Sequence, residues 1–253
     1  MTEAKKLIDN GFKEIVLTGI HLTSYGKDTG AGTLLDVIKE LDKINGLLRI
    51  RLGSLEPLYM TGDMIKEMSK VKKLCPHFHL SLQSGCDETL SRMNRRYTTA
   101  EFKEIVDNLR RNFDDVAVTT DIMTGFPGET EEEFRKTCDF VESIGFSQAH
   151  IFQYSVRKGT KAAEMKEQVP HSVKEERSKI LSEICNKSMH DFRERQIGKT
   201  TGVLFEEKIE GYYAGHTGNY IPVRVLSDKD ISGELLDVIL VKNEHDYIVG
   251  QIA

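Results

Sequence analysis

No stretch of this sequence approaches the roughly 20 uninterrupted apolar residues that a bilayer-crossing helix needs, and its N-terminus has no secretory-leader pattern. The expectation is a cytoplasmic protein with no membrane partner. Excess positive charge is missing too. With 35 Lys and Arg against 40 Asp and Glu the formal net charge is −5, so the field of the whole molecule does not gather a polyanion and any contact with RNA has to be local. Cysteine is scarce and scattered: Cys75, Cys86, Cys138 and Cys185 have the spacing of neither a zinc knuckle nor an iron–sulfur run. They read as four reduced structural thiols, and no residue is assigned to a metal.

What is present suffices for one large domain and one small one: 253 residues, 39% of them apolar. The opening TEAKKLIDNGF has Ala4, Leu7 and Ile8 at helical spacing and a stop at Gly11. Strand patterns follow at EIVLTG, LLRIRLG, FHLSL, VAVTTDIMTG and SQAHIFQYS, separated by helical patterns near 32–45, near 61–71, up to about 111 and near 130–144. Such alternation predicts right-handed βαβ units and a parallel sheet. Thr98 with Glu101 and Thr130 with Glu133 form capping boxes that mark two helix starts. A helix precedes the first strand, so the strand that opens a complete (βα) barrel is expected to be missing. A long helix near 172–197 follows Pro170, and beyond it short alternating stretches broken by Gly, Asn and Asp predict a small all-β barrel. The expected class is α/β, an incomplete (βα) barrel with its C-terminal helix over 1–195 and a β-barrel over 196–253.

Ligands of a parallel βα array bind beyond the carboxyl ends of its strands. The residues there are Thr18 and Gly19, Ser54 and Glu56, Gln83, Ser84 and Gly85, Asp121, Gly125 and Gly128, then Gln153, Tyr154 and Ser155. Singly each is weak. GFPG at 125–128 is ordinary turn composition, and Arg92, Arg95 and Arg96 at a helix end are favoured there by the helix dipole. Together they suit a zwitterionic, nucleoside-like ligand, because a guanidinium grips a carboxylate while Gln83 and Asp121 bond sugar hydroxyls. In the tail, Tyr212, Tyr213, His216, Asn219, Tyr220 and Arg224 either stack on and bond exposed bases or pack on the barrel surface. Five Lys or Arg stand against nine Asp or Glu over 196–253, so charge alone binds phosphate poorly there.

The stretches EIVLTGIHLTSYGKD, RLGSLEP, HLSLQSGCDETLSRMNRRYT, DIMTGFPGETEEEF and YSVRKGTKAAEM, in this order and ahead of a β-barrel tail, closely resemble the radical S-adenosylmethionine methylthiotransferases over essentially the whole chain. Thr18 and His21 in LTGIHLTSYG are most similar to the branch that acts on N6-threonylcarbamoyladenosine next to the tRNA anticodon. The isopentenyladenosine and ribosomal-protein branches stay open. The resemblance implies a radical-SAM barrel that binds S-adenosylmethionine: Gln83 and Arg95 hold the ligand, Gly19 lies near the methionine amine, and Asp121 and Gly125 of the GFPG loop line the ribose and adenine. It implies a TRAM-like tail whose Tyr212, His216, Asn219, Tyr220 and Arg224 meet the anticodon arm of tRNA. It further implies 4Fe–4S clusters and an electron donor such as flavodoxin or ferredoxin in the full-length enzyme.

That family holds its radical-generating cluster with a closely spaced cysteine triplet after the first barrel strand, and an N-terminal domain adds further cysteines. Neither is found here, so the chain reads as a fragment that does not turn over by itself. No residue is assigned as acid or base. Two readings from other classes remain. A binding module for RNA or adenosylmethionine without chemistry is separated from the enzyme by iron and sulfide content after anaerobic reconstitution. A radical enzyme of the porphyrinogen-oxidase kind would share Gln83 and Arg95 but not the β-barrel tail.

Overall fold

The computed structural model describes residues 1–27, 30 and 32–253; Asp28, which closes the first quoted stretch, lies outside them. The chain enters on α1 (Thr2–Asp9), which stops at Asn10 and Gly11 with Gly11 at φ +92°. β1 (Glu14–Leu17) is followed by α2 (Leu34–Asp42), started by a Thr33–Asp36 capping box, and by β2 (Arg49–Leu52). The expected second strand is in fact divided. β2 pairs in parallel with β1, while β3 (Ser54–Leu55) belongs to the next sheet. The step falls at Gly53, whose N–H donates to the Leu17 carbonyl at 2.8 Å and where a side-chain carbon would stand only 3.1 Å from that oxygen.

The alternation then runs through α3 (Gly62–Met68), β4 (His77–Leu80), α4 (Asp87–Arg92), α5 (Thr99–Asn112), β5 (Ala117–Thr124), α6 (Glu131–Ile144), β6 (Gln148–Gln153), the short α7 (Lys161–Glu164) and α8 (His171–Glu194). Both expected capping boxes form, at the starts of α5 and α6. β3, β4, β5 and β6 make a four-stranded parallel sheet in that order. Side chains alternate across it. One face buries Leu55, Phe78, Leu80, Val118 and Ile122 against Phe102, Val106, Val141 and Leu181 of the helices. The inner face is polar, with His77, His79, Thr119 and Asp121; Arg49 and Arg51 belong to β2 of the neighbouring pair.

β7 (Thr200–Ile209), β8 (Tyr212–Thr217), β9 (Pro222–Val225), β10 (Leu235–Asn243) and β11 (Ile248–Ile252) close into a barrel in the order β10-β11-β9-β8-β7. Val203, Phe205, Val223, Val238, Leu240 and Ile248 fill it. Gly215 is required on β8, because any side-chain carbon there would collide with the Leu204 carbonyl. The barrel is docked on the amino-terminal ends of the parallel strands. Ala117 of β5 and Phe192 of α8 join its core, Arg49 and Arg51 donate to the carbonyls of His216 and Gly218 at 2.9 Å each, and Asn219 Nδ2 donates to the Asp115 carbonyl at 3.0 Å. Among the described residues no helix is long and apolar enough to cross a membrane.

Candidate functional site

Two backbone devices bring the two ends of SLQSGCDETLSRMNRRYT to one place. Past β4, Gln83 adopts φ +70°, a conformation that costs a non-glycine residue on the order of 1 kcal/mol or more. β5 imposes it. The Gln83 N–H donates to the Asp121 carbonyl at 2.8 Å, and the Gln83 carbonyl accepts from the Met123 N–H at 2.9 Å, so Gln83 is stapled beside Asp121. Downstream, Asn94 takes φ +58° past the end of α4. Its N–H donates to the Ser91 carbonyl at 3.0 Å and the Arg95 N–H to the Leu90 carbonyl at 2.9 Å, which is the Schellman arrangement. The chain reverses there, and the Tyr97 hydroxyl anchors it between the Ser81 and Leu82 carbonyls at 2.6 and 2.8 Å. Burial pushes that phenol up to about 12, so it stays a donor.

Arg95 and Arg96 are left exposed at the carboxyl-terminal mouth of the sheet, lining a cavity of about 350 Å³ with Ser54, Glu56, Ser81 and His21. The expectation that Arg92, Arg95 and Arg96 share one helical turn is corrected: only Arg92 lies in α4. Arg92 pairs with Glu133 through both guanidinium nitrogens, at 2.8 and 2.5 Å, and so fastens α4 to α6. The helix-dipole account therefore covers Arg92 alone.

At the end of β1, Thr18 and Gly19 are exposed. His21 Nδ1 and Thr23 Oγ1 both bond the Glu56 carboxylate. Burial pushes that carboxyl up, but the bonds from Thr23 and His21 outweigh it and hold Glu56 below its ordinary value. Gly125, at φ +68°, is covered by α8: a side-chain carbon there would collide with Lys174. Its N–H donates to Glu129 Oε2 at 2.8 Å, and that carboxylate accepts from Arg177 at 2.8 Å. The demand for glycine at this point of GFPG thus comes from the packed turn itself. Asp121 lies on the inner face with Oδ2 3.3 Å from His79 Nε2.

The tail residues expected to meet RNA are placed differently. The Tyr220 ring is packed against the imidazoles of His77 and His216, at centroid separations of 4.9 and 4.6 Å, and under the Arg51 guanidinium at 4.7 Å. Asn219 is buried on Asp115. These two residues hold the tail to the sheet, because the turn that carries them is wedged against the starts of β2 and β4; Asn219 is taken up by that contact, while Tyr220 stays 42% exposed. Arg224 lies over the Tyr247 ring at 4.1 Å and pairs with Glu210 at 3.1 Å. Tyr212 is half-buried at the β7–β8 hairpin. The polar inner-face residues His77, His79 and Thr119 went unnoticed in the sequence, where the alternation in HFHL and AVTTD was the available signal.

The thiols do not fit an iron–sulfur cluster, which needs converging thiolates. Among the described residues no three His, Cys, Asp or Glu come together as metal ligands, and burial pushes Cys75, Cys138 and Cys185 each up to about 11.

Residues 1–141 match the radical SAM superfamily. The threonylcarbamoyladenosine tRNA methylthiotransferase MtaB of Thermotoga maritima is 40% identical over 220 residues, 87% of this chain and 50% of that protein. The MtaB of Bacillus subtilis is 36% identical over 255 residues, 98% of this chain and 56% of that protein. The tRNA-2-methylthio-N(6)-dimethylallyladenosine synthase of Acetivibrio thermocellus is 39% identical over 242 residues, 94% of this chain and 50% of that protein. The chain spans about half the length of these relatives. Among solved structures, the Escherichia coli coproporphyrinogen III oxidase HemN has a TM-score of 0.57 at 12% identity, covering 85% of this chain and 58% of that one, a likeness of fold alone.

Proposed function

The chain belongs to the radical SAM superfamily, and from that premise we propose that its carboxyl-end mouth holds S-adenosylmethionine within a tRNA methylthiotransferase acting on N6-threonylcarbamoyladenosine beside the anticodon. The observation that carries this reading is the return of Arg95 to the mouth by the Asn94 turn, fixed by Tyr97 on the Ser81 and Leu82 carbonyls just ahead of Gln83, which is itself stapled to β5 beside Asp121. Arg95 grips the carboxylate of the ligand, Gln83 and Asp121 bond its hydroxyls, and exposed Gly19 leaves room for its amine. Bound adenosylmethionine supplies the radical chemistry of the superfamily; the residues of this chain bind and orient it.

The choice of nucleoside is supported by charge. Arg95 and Arg96 line the mouth cavity against one carboxylate, Glu56, and a threonylcarbamoyl group carries a carboxylate where a dimethylallyl group is apolar. A cationic lining favours the first. Relatives named for each activity resemble the chain at nearly equal identity, so the lining is the distinguishing feature. Titration calorimetry with S-adenosylhomocysteine, followed by binding of anticodon-arm RNA with and without the threonylcarbamoyl group, tests both parts. Saturable nucleoside binding and a preference for the modified RNA are expected. No nucleoside binding at millimolar ligand would sink the cofactor site, and a preference for dimethylallyl RNA would move the chain to the other branch.

A further inference from the structure

Behind Asp121 the inner face carries a run of side chains that this reading leaves unused. Asp121 Oδ2 lies 3.3 Å from His79 Nε2, His79 Nδ1 lies 3.0 Å from Thr119 Oγ1, and Thr119 Oγ1 lies 3.3 Å from His77 Nε2. The strand register explains the order, with His79 opposite Thr119 and His77 opposite Ala117 on adjacent parallel strands. The run ends at the tail barrel, where His77 stacks on Tyr220.

With neutral rings its protons can be placed in only one way. A carboxylate only accepts, so His79 donates from Nε2 to Asp121. A neutral imidazole has one N–H, so His79 Nδ1 accepts, and the Thr119 hydroxyl donates to it. The Thr119 oxygen then accepts from His77 Nε2. His77 Nδ1 must be bare, and that atom is buried with no hydrogen-bond partner. A bare acceptor is the cheaper group to leave unpaired. Burial, reinforced by Arg51, pushes His77 down to about 3, which keeps its ring neutral.

We propose that His79 and Thr119 are positioning residues for Asp121: the ladder fixes which way the carboxylate faces, so that it can bond the ribose hydroxyls of the ligand, and the tail barrel closes the far end of the ladder through Tyr220. The proposal rests on the assignment of the mouth to adenosylmethionine.

The test compares S-adenosylhomocysteine with its 2′,3′-dideoxyribose counterpart by titration calorimetry on this chain. The wild type is expected to prefer the ribose form at least about tenfold, the scale of one charged hydrogen bond. Thr119→Val keeps the shape but removes the hydroxyl, and should bring that preference to about twofold or less, with Thr119→Ser restoring it. A purely packing role for Thr119 would leave the ratio unmoved, whatever happened to the two affinities. If Thr119→Val does not fold, His79→Phe is read in the same way. A wild type that binds neither nucleoside would overturn the assignment of the mouth. Binding without a ribose preference would overturn both the ladder and the role given to Gln83 and Asp121, while a preference that survives the loss of the hydroxyl would overturn the ladder alone.

Discussion

Arg92 and Arg95 differ in duty because Asn94 stands between them. Arg95→Ala should weaken S-adenosylhomocysteine binding by roughly 1.5 to 3 kcal/mol, the worth of hydrogen bonds to a charged group, with the unfolding midpoint unchanged. Arg92→Ala leaves Glu133 without its partner, and should lower stability by roughly 1 to 3 kcal/mol while binding persists. Calorimetric titration beside urea unfolding separates the two, and equal binding losses would assign both arginines to packing. His77 adds a pH dependence. Its folded value of about 3 lies below the ordinary 6.5, so the unfolded chain binds a proton that the folded one refuses. Its contribution to stability is whole above pH 6.5 and is lost as pH falls from 6.5 towards 3, with about 2 kcal/mol gone at pH 5. Unfolding free energies from urea titrations at pH 7.5 and pH 5 should differ by that much less in His77→Gln. At this scale the strand-end residues were legible, because a residue that follows an apolar run is visible in one dimension. The separate fates of the arginines were not, since an asparagine can continue a helix or end it in the left-handed conformation.

Among the elements, β1 is the most exposed to misuse. Among the described residues its only strand partner is β2, and Val16 and Phe12 are 51% and 57% exposed. An edge with unpaired amides and carbonyls is a template for association. The chain should therefore form dimers at micromolar concentration, and Val16→Lys should return it to monomer by light scattering. A wild type that stays monomeric at high concentration would show that the edge is already protected. Helix starts were readable because Thr98–Glu101 and Thr130–Glu133 are local signals within one turn. The division of the second strand was not. It depends on the crowding of Gly53 against the Leu17 carbonyl, an atom from a distant part of the chain.

For the whole molecule, position decides where RNA can be held by charge. Arg157, Lys158 and Lys161 are exposed beyond the carboxyl end of β6, and Arg96 beyond β4. Over 157–167 the acids Glu164 and Glu167 stand against Arg157, Lys158, Lys161 and Lys166, so the segment stays net positive. The tail is net acidic and sits at the other end of strands such as β5, whose 8 residues span roughly 25 Å. On the proposed function, an RNA loop that presents a base to the mouth would meet the rim cations first. Changing Arg157, Lys158 and Lys161 together to Gln should reduce the slope of log affinity against log salt by about 2 for anticodon-arm RNA, at about 0.7 per phosphate contact. Lys208→Gln with Lys229→Gln in the tail should leave that slope unchanged. Fluorescence anisotropy across a salt series reads both, and the opposite pattern would return the electrostatic contacts to the tail.

Periodicity, caps and turn residues depend on neighbours a few positions away, and for that reason the sequence by itself determined the five parallel strand regions with their helices, the β-barrel tail and the candidate residues at the strand ends. Contacts across long sequence separations depend on register and on which face another element covers. Thr119 meets His79 across 40 positions, and Asn219 meets Asp115 across 104. Only the tertiary structure could decide that Tyr220 anchors the tail on His77, that Gly125 answers to Lys174, and that a line of histidines and a threonine runs from the tail to Asp121.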